Sequence, residues 1–158
     1  DGVIAKSVVS TGSGSDQLML EEDVVIKGST DFDLGKGKDL VEATAEIKKA
    51  SFDLGKGKDR IELSGSIKKA TIDLGDDTKK DKIVLDSADQ IRKSLNISNF
   101  DTKDRLFIDG KKYFYSDLKD GAPGKINVSF RGDSDDSSES SQEQADFNPV
   151  SSNGFDFL

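Results

Sequence analysis

The sequence contains no cysteine and no histidine. These absences remove the imidazole base, the thiolate nucleophile, disulfide bonds and the usual ligands of zinc, haem and iron–sulfur clusters. Any metal chemistry must therefore use oxygen ligands. Long apolar runs are also missing. None approaches the roughly 18 residues of a membrane helix, so we predict no transmembrane segment.

Charged residues of both signs are abundant, but acidic residues predominate. Asp and Glu number 31 against 23 Lys and Arg, which gives a net charge of -8. Attraction to nucleic acid or anionic lipid would be opposed by this charge, so no nucleic-acid partner is expected. Divalent cations are its natural counterpart.

The most informative feature of the chain is an internal repeat. Residues 32–39 recur letter for letter as 52–59, and residues 47–50 recur as 67–70. This 20-residue period is typical of a solenoid, in which each unit buries its apolar face only against copies of itself. A chain of 158 residues built in this way needs no second core.

Five loops rich in glycine and aspartate mark the units, the first three regular and the last two degenerate. Glycine allows a tight turn with positive φ that presents carbonyl oxygens, and aspartate adds a carboxylate. Together they offer the oxygen-only shell that calcium prefers. We expect metal first in the serine-containing loop and in the loop with two adjacent aspartates. The candidate Ca²⁺ ligands are Gly12, Gly14, Asp16, Gly35, Gly37, Asp39, Gly55, Gly57, Asp59, Gly75, Asp76, Asp77, Asp81, Asp101 and Asp104.

Each loop is followed by strict apolar alternation, as in Ile61 and Leu63, and is preceded by a second short alternating segment. Alternation with period two is typical of half-buried strands. Two strands and two turns per unit predict an all-β fold, a parallel β-roll or β-helix solenoid of about five coils. One column of inside residues should consist of Val9, Phe32, Phe52, Ile72 and Ile97.

Stacked coils would also align the aspartates of successive loops. Parallel strands lie about 4.8 Å apart. Two carboxylates at this distance repel by about 1 kcal/mol in water and by about 3.5 kcal/mol at an effective dielectric constant near 20. A bound cation would turn this repulsion into an attraction. Alternatively, loop lysines could neutralise the aspartates in place of calcium. These lysines are Lys36, Lys38, Lys56 and Lys58.

The segment Leu54-Gly55-Lys56-Gly57-Lys58-Asp59-Arg60-Ile61-Glu62 resembles the calcium-binding nonapeptide of repeats-in-toxin (RTX) proteins. The resemblance covers about residues 9–110. It implies a roll whose loops hold Ca²⁺ between successive turns, folding on contact with calcium outside a bacterial cell, and export by type I secretion. Two features differ from the family. Leucine or threonine stands at the first glycine of the motif, and each unit carries one motif rather than two.

The C-terminal part differs in composition from the repeats. Residues 95–115 resemble the closing segment that follows many RTX rolls, with a hairpin turning at Asp109-Gly110. Residues 132–144 are almost wholly Asp, Ser, Glu and Gln, a composition that predicts disorder. We therefore expect a roll at 1–110, a cap at 95–130 and an acidic tail resembling a secretion signal at 131–158. The expected anchors of the tail are Phe147, Val150, Phe155 and Phe157.

The lysine pairs at 48–49 and 68–69 are expected at the turn opposite the glycine loops, stacked into a basic rib. One interpretation is a solvated ridge that discourages sideways strand pairing. The other is a surface for acidic glycans or for neighbouring subunits.

These features predict a secreted, calcium-binding structural protein, bacterial and located outside the cell or on its surface. It would form homo-oligomers, a fibre or surface layer, by coil stacking or tail exchange, because open solenoid ends expose unpaired strand edges. A narrow roll filled with Phe, Ile, Leu and Val leaves no pocket for converging catalytic groups, so we expect no enzyme activity. The alternative is the C-terminal repeat and export module of a larger secreted adhesin, toxin or hydrolase. The first residue, Asp1, fits a processed product or a piece of a longer chain.

Overall fold

A computed structural model describes residues 2–132; Asp1 and residues 133–158, with the tail anchors named above, lie outside the described residues. The fold is a parallel β-solenoid of about five coils, as the repeat predicts. The elements in chain order are β1 (Gly2–Ala5), β2 (Val8–Ser10), β3 (Gln17–Leu20), β4 (Val24–Lys27), β5 (Thr30–Asp33), β6 (Lys36–Gly37), β7 (Leu40–Ala43), β8 (Glu46–Ile47), β9 (Ala50–Asp53), β10 (Lys56–Gly57), β11 (Arg60–Leu63), β12 (Ile67–Asp73), β13 (Lys82–Leu85), a 3-10 helix (Ala88–Gln90), β14 (Ile91–Phe100), β15 (Arg105–Ile108), β16 (Lys111–Tyr113), α1 (Tyr115–Asp120) and β17 (Ile126–Phe130).

Two large sheets form the walls of the solenoid. The first contains β1, β4, β8, β12, β9, β5 and β2 in this order, with β14 paired to β12 and β17 paired to β14. The second runs β3, β7, β11, β13 and β15 in parallel and ends with the antiparallel strand β16. Short strands β6 and β10 pair with each other within the glycine loops. Each coil therefore contributes to both walls and to the loop edge between them.

The coils are in register, so equivalent side chains form columns. Val9 pairs with Phe32, Phe32 with Phe52, Phe52 with Ile72, and Ile72 with Ile97, which confirms the predicted inside column. The rings of Phe32 and Phe52 are stacked, with centroids 4.9 Å apart and planes inclined by 8°. Both are buried, since each faces the core between the two sheets.

The turn opposite the loops lies a few residues earlier than the sequence suggests. Strand β12 runs without a break through Lys68 and Lys69, whereas Lys48 and Lys49 form a bend between β8 and β9, two strands of the same sheet. The basic rib therefore lies on the outer side of the first sheet. The chain crosses from the second sheet to the first at 44–45 and 64–66. Gly65 marks this crossing, because a Cβ there would lie 2.0 Å from the carbonyl oxygen of Ala45. At Lys68 and Lys69 the two adjacent exposed lysines coincide with a shift in the pairing register between β12 and β14.

A cap follows the fifth coil. Strands β15 and β16 form the expected hairpin, and positive φ at Asp109 (53°) and Gly110 (76°) matches a type I′ turn. Helix α1 then places Leu118 in the core, and β17 begins a further layer of the first sheet. The ring of Phe130 packs edge-on against Phe100. Among residues 2–132, no helix is long and apolar enough to cross a membrane.

Candidate functional site

The aspartates that follow the glycine loops form a single row along the solenoid, which we call the aspartate ladder: Asp16, Asp39, Asp59, Asp81 and Asp104. Each stands just before a strand of the second sheet, at a position whose side chain points inward. Asp39, Asp59, Asp81 and Asp104 are only 2–3% exposed. The repeat therefore places a row of carboxyl groups inside the wall of the solenoid.

Backbone N–H groups of one coil bind the carboxylates of the next. The N–H of Asp39 donates to Oδ1 of Asp59 over 2.7 Å, and the N–H of Asp59 donates to Oδ1 of Asp81 over 2.8 Å. The same bond joins Asp16 to Asp39 and Asp81 to Asp104, both at 2.8 Å. Because hydrogen bonds to a carboxylate stabilise its charged form, the ladder offsets part of its own repulsion without a metal.

The second carboxylate oxygens are less well satisfied. Oδ2 of Asp16, Asp39 and Asp59 is buried and has no hydrogen-bond partner within the described part of the chain. By contrast, Oδ2 of Asp104 accepts the N–H of Asp101 over 2.8 Å. Leaving a buried polar atom unpaired costs about 1–3 kcal/mol. The ladder therefore has oxygen atoms that a cation or a proton would stabilise.

Burial raises the pKa of four ladder carboxyl groups, those of Asp39, Asp59, Asp81 and Asp104, which favours their neutral form. Desolvation raises the pKa of Asp81 to about 8 and the pKa of Asp59 and Asp104 to about 6, against an ordinary value of 3.8. The N–H donors oppose this shift, and the neighbouring ladder carboxylates add to it. Desolvation also raises the pKa of Asp39. The loop lysines named above form no ion pair with the ladder within residues 2–132, so the internal lysine counter-charge is not formed.

The loop glycines stack in two columns that leave no room for a side chain. A Cβ on Gly35 would lie 1.8 Å from the carbonyl oxygen of Gly12, and a Cβ on Gly57 would lie 1.5 Å from that of Gly37. Both glycines also have positive φ, 84° and 153°. Glycine is therefore required here by close backbone approach as well as by conformation.

Backbone hydrogen bonds already join these loops from coil to coil. The carbonyl oxygen of Gly12 accepts the N–H of Lys36 over 2.9 Å, and that of Gly35 accepts the N–H of Lys56 over 2.8 Å. Leu34, Leu54 and Leu74, which stand where the RTX motif has glycine, are buried in the core. The departure from the motif thus has a packing reason.

The regular loops are joined by the short paired strands β6 and β10. In the two degenerate loops, aspartate side chains accept backbone hydrogen bonds instead. Oδ2 of Asp77 accepts the N–H of Gly57 over 2.7 Å, and its Oδ1 accepts the N–H of Lys79. Asp76 is exposed and forms a 3.0 Å ion pair with Arg131. Oδ1 of Asp101 accepts the N–H of Lys103. The adjacent Asp76 and Asp77 therefore point in different directions rather than into one site.

The ladder provides oxygen donors, the type that calcium prefers, but it provides few of them at any one point. Calcium takes six to eight oxygen ligands. Within residues 2–132, no three acidic side chains come close enough to hold one metal ion. An ion at the ladder would bind the free Oδ2 atoms, and backbone carbonyls and water would have to complete its shell.

A second column of aspartates, which the sequence analysis did not single out, lies on the outer face of the first sheet. It contains Asp33, Asp53 and Asp73, paired in register. Oδ1 of Asp53 and of Asp73 accepts the N–H of the glycine two residues later, at 3.0 and 2.9 Å. Burial raises the pKa of Asp53, and the other two carboxylates add to this shift. The signal was present in the sequence, since an aspartate precedes each Leu-Gly pair.

Comparison of the chain with protein-family models, with curated proteins and with solved structures found no match. The class of the protein is therefore defined by its fold, a parallel β-solenoid with an internal row of aspartates.

Proposed function

We propose that this chain is a secreted structural protein without enzyme activity, which assembles end to end and binds calcium at its glycine loops. The observation that carries the proposal is the edge of the first coil. Strands β1, β2 and β3 pair on one side only within the described residues. Val3, Val8 and Met19 on these strands are 58%, 75% and 57% exposed. Unpaired strand edges with exposed apolar side chains favour addition of further strands.

The register supports continuation of the stack from one copy to the next. Val128 of β17 lies in the same column as Val9, five steps along the stack and with four residues between them. A second copy whose β2 paired with β17 would continue this column and the sheet. Calcium would strengthen the assembly by binding the free Oδ2 atoms of the ladder.

Light scattering of the full chain in chelator, followed by calcium addition, tests both the end-to-end assembly and the calcium binding. We expect growth into large particles when calcium is added. Val8→Lys should weaken growth, because it places a charge on the open edge, whereas Val84→Lys, which adds the same charge in the middle of the second sheet, should not. Dispersed monomers at every calcium concentration would overturn assembly, and growth that is independent of calcium would overturn the metal part alone.

The second candidate is the export module of a larger secreted protein, which the asymmetry of the two ends favours. Leu118 of α1 covers the core beyond the fifth coil, whereas Ile4, Val9 and Leu18 of the first coil are only partly buried. A module that continues an upstream domain would have this arrangement. Mass spectrometry of the natural product distinguishes the two candidates, because the module predicts a much larger polypeptide.

A further inference from the structure

Four of the five ladder aspartates have cationic neighbours, whereas Asp16 lies between Ser15 and Gln17. The triplets are Lys38-Asp39-Leu40, Lys58-Asp59-Arg60, Lys80-Asp81-Lys82 and Lys103-Asp104-Arg105. Since the aspartates point inward, the residues before and after them point outward. The repeat therefore builds two parallel columns of positive charge on the outer surface, one on each side of the buried ladder.

These columns line a groove along the solenoid. A cavity of about 470 Å³ is lined by Lys38, Lys58 and Arg60, together with Ser15, Gln17, Leu40 and the ladder residues Asp16 and Asp39. A second cavity, of about 350 Å³, shares these three cationic residues and adds Lys80, Lys82 and the ladder residue Asp59. Because the two cavities share walls, they form one continuous depression, which we call the cationic groove.

Most of the positive charge in the groove has no acidic partner among residues 2–132. Lys38, Lys58 and Lys80 make no ion pair or side-chain hydrogen bond within the described structure. Arg60 pairs with Glu62, and Nζ of Lys82 lies 4.5 Å from the ring centre of Phe107.

Negative charge close to the groove is limited. Asp39 and Asp59 beneath it accept backbone N–H groups and are almost inaccessible, whereas Asp16 at one end is half-buried. Glu42 and Glu62, one column further along the second sheet, are the nearest outward carboxylates of that sheet in register with the groove. Three ammonium groups on a repeat of about 4.8 Å are thus free to bind anions.

We propose that the cationic groove binds a linear acidic polysaccharide, with its carboxylate or sulfate groups between the two columns of cations. A polymer with regularly recurring charge matches a protein surface whose charge recurs at every coil. Ser15 adds a hydroxyl group at one end, where the neighbouring Gln17 already donates from Nε2 to Oε2 of Glu42. Neither cavity wall contains an aromatic ring in the part of the chain that the structure describes, so the groove lacks the stacking platforms that bind single-stranded nucleic acid.

The basic rib of the first sheet supplies a matched control. Lys49, Lys68 and Lys69 are exposed and lie on the other wall, outside the groove. The triple variant Lys38→Gln, Lys58→Gln, Lys80→Gln and the triple variant Lys49→Gln, Lys68→Gln, Lys69→Gln remove the same charge. A difference in binding affinity between the two variants therefore results from the position of the lysines, because the change in net charge is the same.

The experiment measures binding of the full chain to a sulfated polysaccharide, to a polyuronate and to oligothymidylate, all in chelator so that calcium plays no part. We expect both polysaccharides to bind at low salt, or one of them, which would identify the preferred acid group. The groove variant should bind at least about tenfold more weakly, as expected for the loss of three exposed ion pairs, and with a less steep salt dependence. The rib variant should bind within about threefold of the unmodified chain.

Three results would overturn the proposal. They are no binding of either polysaccharide, equal weakening in both triple variants, or oligothymidylate binding as tight as the better polysaccharide. Circular dichroism of both variants shows whether the fold is retained. Because the measurement uses neither calcium nor self-assembly, its outcome is independent of the proposed structural function.

Discussion

The backbone N–H of Asp59 donates a 2.8 Å hydrogen bond to Oδ1 of Asp81, the equivalent residue of the next coil. Both residues are almost completely buried. The bond therefore joins two coils through a carboxyl group that has left water, and its strength depends on whether that group carries a proton.

Two replacements of Asp81 distinguish the loss of its hydrogen-bond acceptor from the loss of its negative charge. Asp81→Asn keeps an oxygen that can accept from Asp59, so we expect a change of less than about 1 kcal/mol in the free energy of unfolding at pH 7. Asp81→Ala leaves a buried N–H unpaired and should lower this free energy by about 1–3 kcal/mol. Urea unfolding of both variants provides the measurement. Equal losses in both would show that the charge itself is required.

Stability should fall as pH rises from about 4 to about 8. Asp59, Asp81 and Asp104 have a pKa raised by burial to about 6, 8 and 6. Over this range the folded chain therefore binds more protons than the unfolded chain, so the free energy of unfolding decreases with pH. The contribution of the ladder is fully present below about pH 4 and is lost as pH rises through these values. Urea unfolding at several pH values measures the slope, and Asp81→Asn should flatten it. A slope of opposite sign would contradict the ladder's raised pKa values.

The stacked glycines predict a large difference between two equivalent positions. A Cβ on Gly57 would meet the carbonyl oxygen of Gly37 at 1.5 Å, whereas a Cβ on Gly14, in the first coil, has nothing within 4 Å. Both have positive φ, 153° and 127°. We expect Gly14→Ala to lose about 1–2 kcal/mol from backbone strain alone. Gly57→Ala should lose clearly more, because the coils must separate. Thermal unfolding of the two variants compares them, and similar losses would mean that coil spacing can relax.

The stacked rings of Phe32 and Phe52 predict how the core column tolerates change. Phe52→Ala should lower the free energy of unfolding by about 3–5 kcal/mol, because it leaves a cavity between two coils. Phe52→Ile should lose less than about half as much, since Ile72 already occupies the same column one coil later. Urea unfolding would test both variants. A larger loss for Ile than for Ala would show that the ring stack specifies the register.

Periodic parts of the fold could be predicted from the sequence. The alternation around Phe32, Phe52 and Ile72 gave the inside column, including its continuation to Ile97, because a repeat carries the same register in every unit. The hairpin turn at Asp109 and Gly110 was equally readable, because a type I′ turn needs positive φ at both residues.

The parts that depend on three-dimensional packing could not be predicted in this way. Lys68 and Lys69 lie within β12, whereas the same four letters one coil earlier bend at Lys48 and Lys49 between β8 and β9, so the local sequence does not decide between strand and turn. Helix α1 is six residues long, too short for a periodic signal. In the ladder, the position of the aspartates was predictable. The N–H donors to their Oδ1 atoms were not, since each of these donors comes from the preceding coil.

In the regular coils, three kinds of contact recur from one coil to the next: an N–H on a ladder carboxylate, a core residue on its equivalent, and a loop glycine on another. None of these pairings depends on how many coils precede or follow it. A unit of 20 residues could therefore be inserted or removed in the regular region without disturbing any other unit. A solenoid of this kind can therefore change in length by whole coils while its cross-section stays the same.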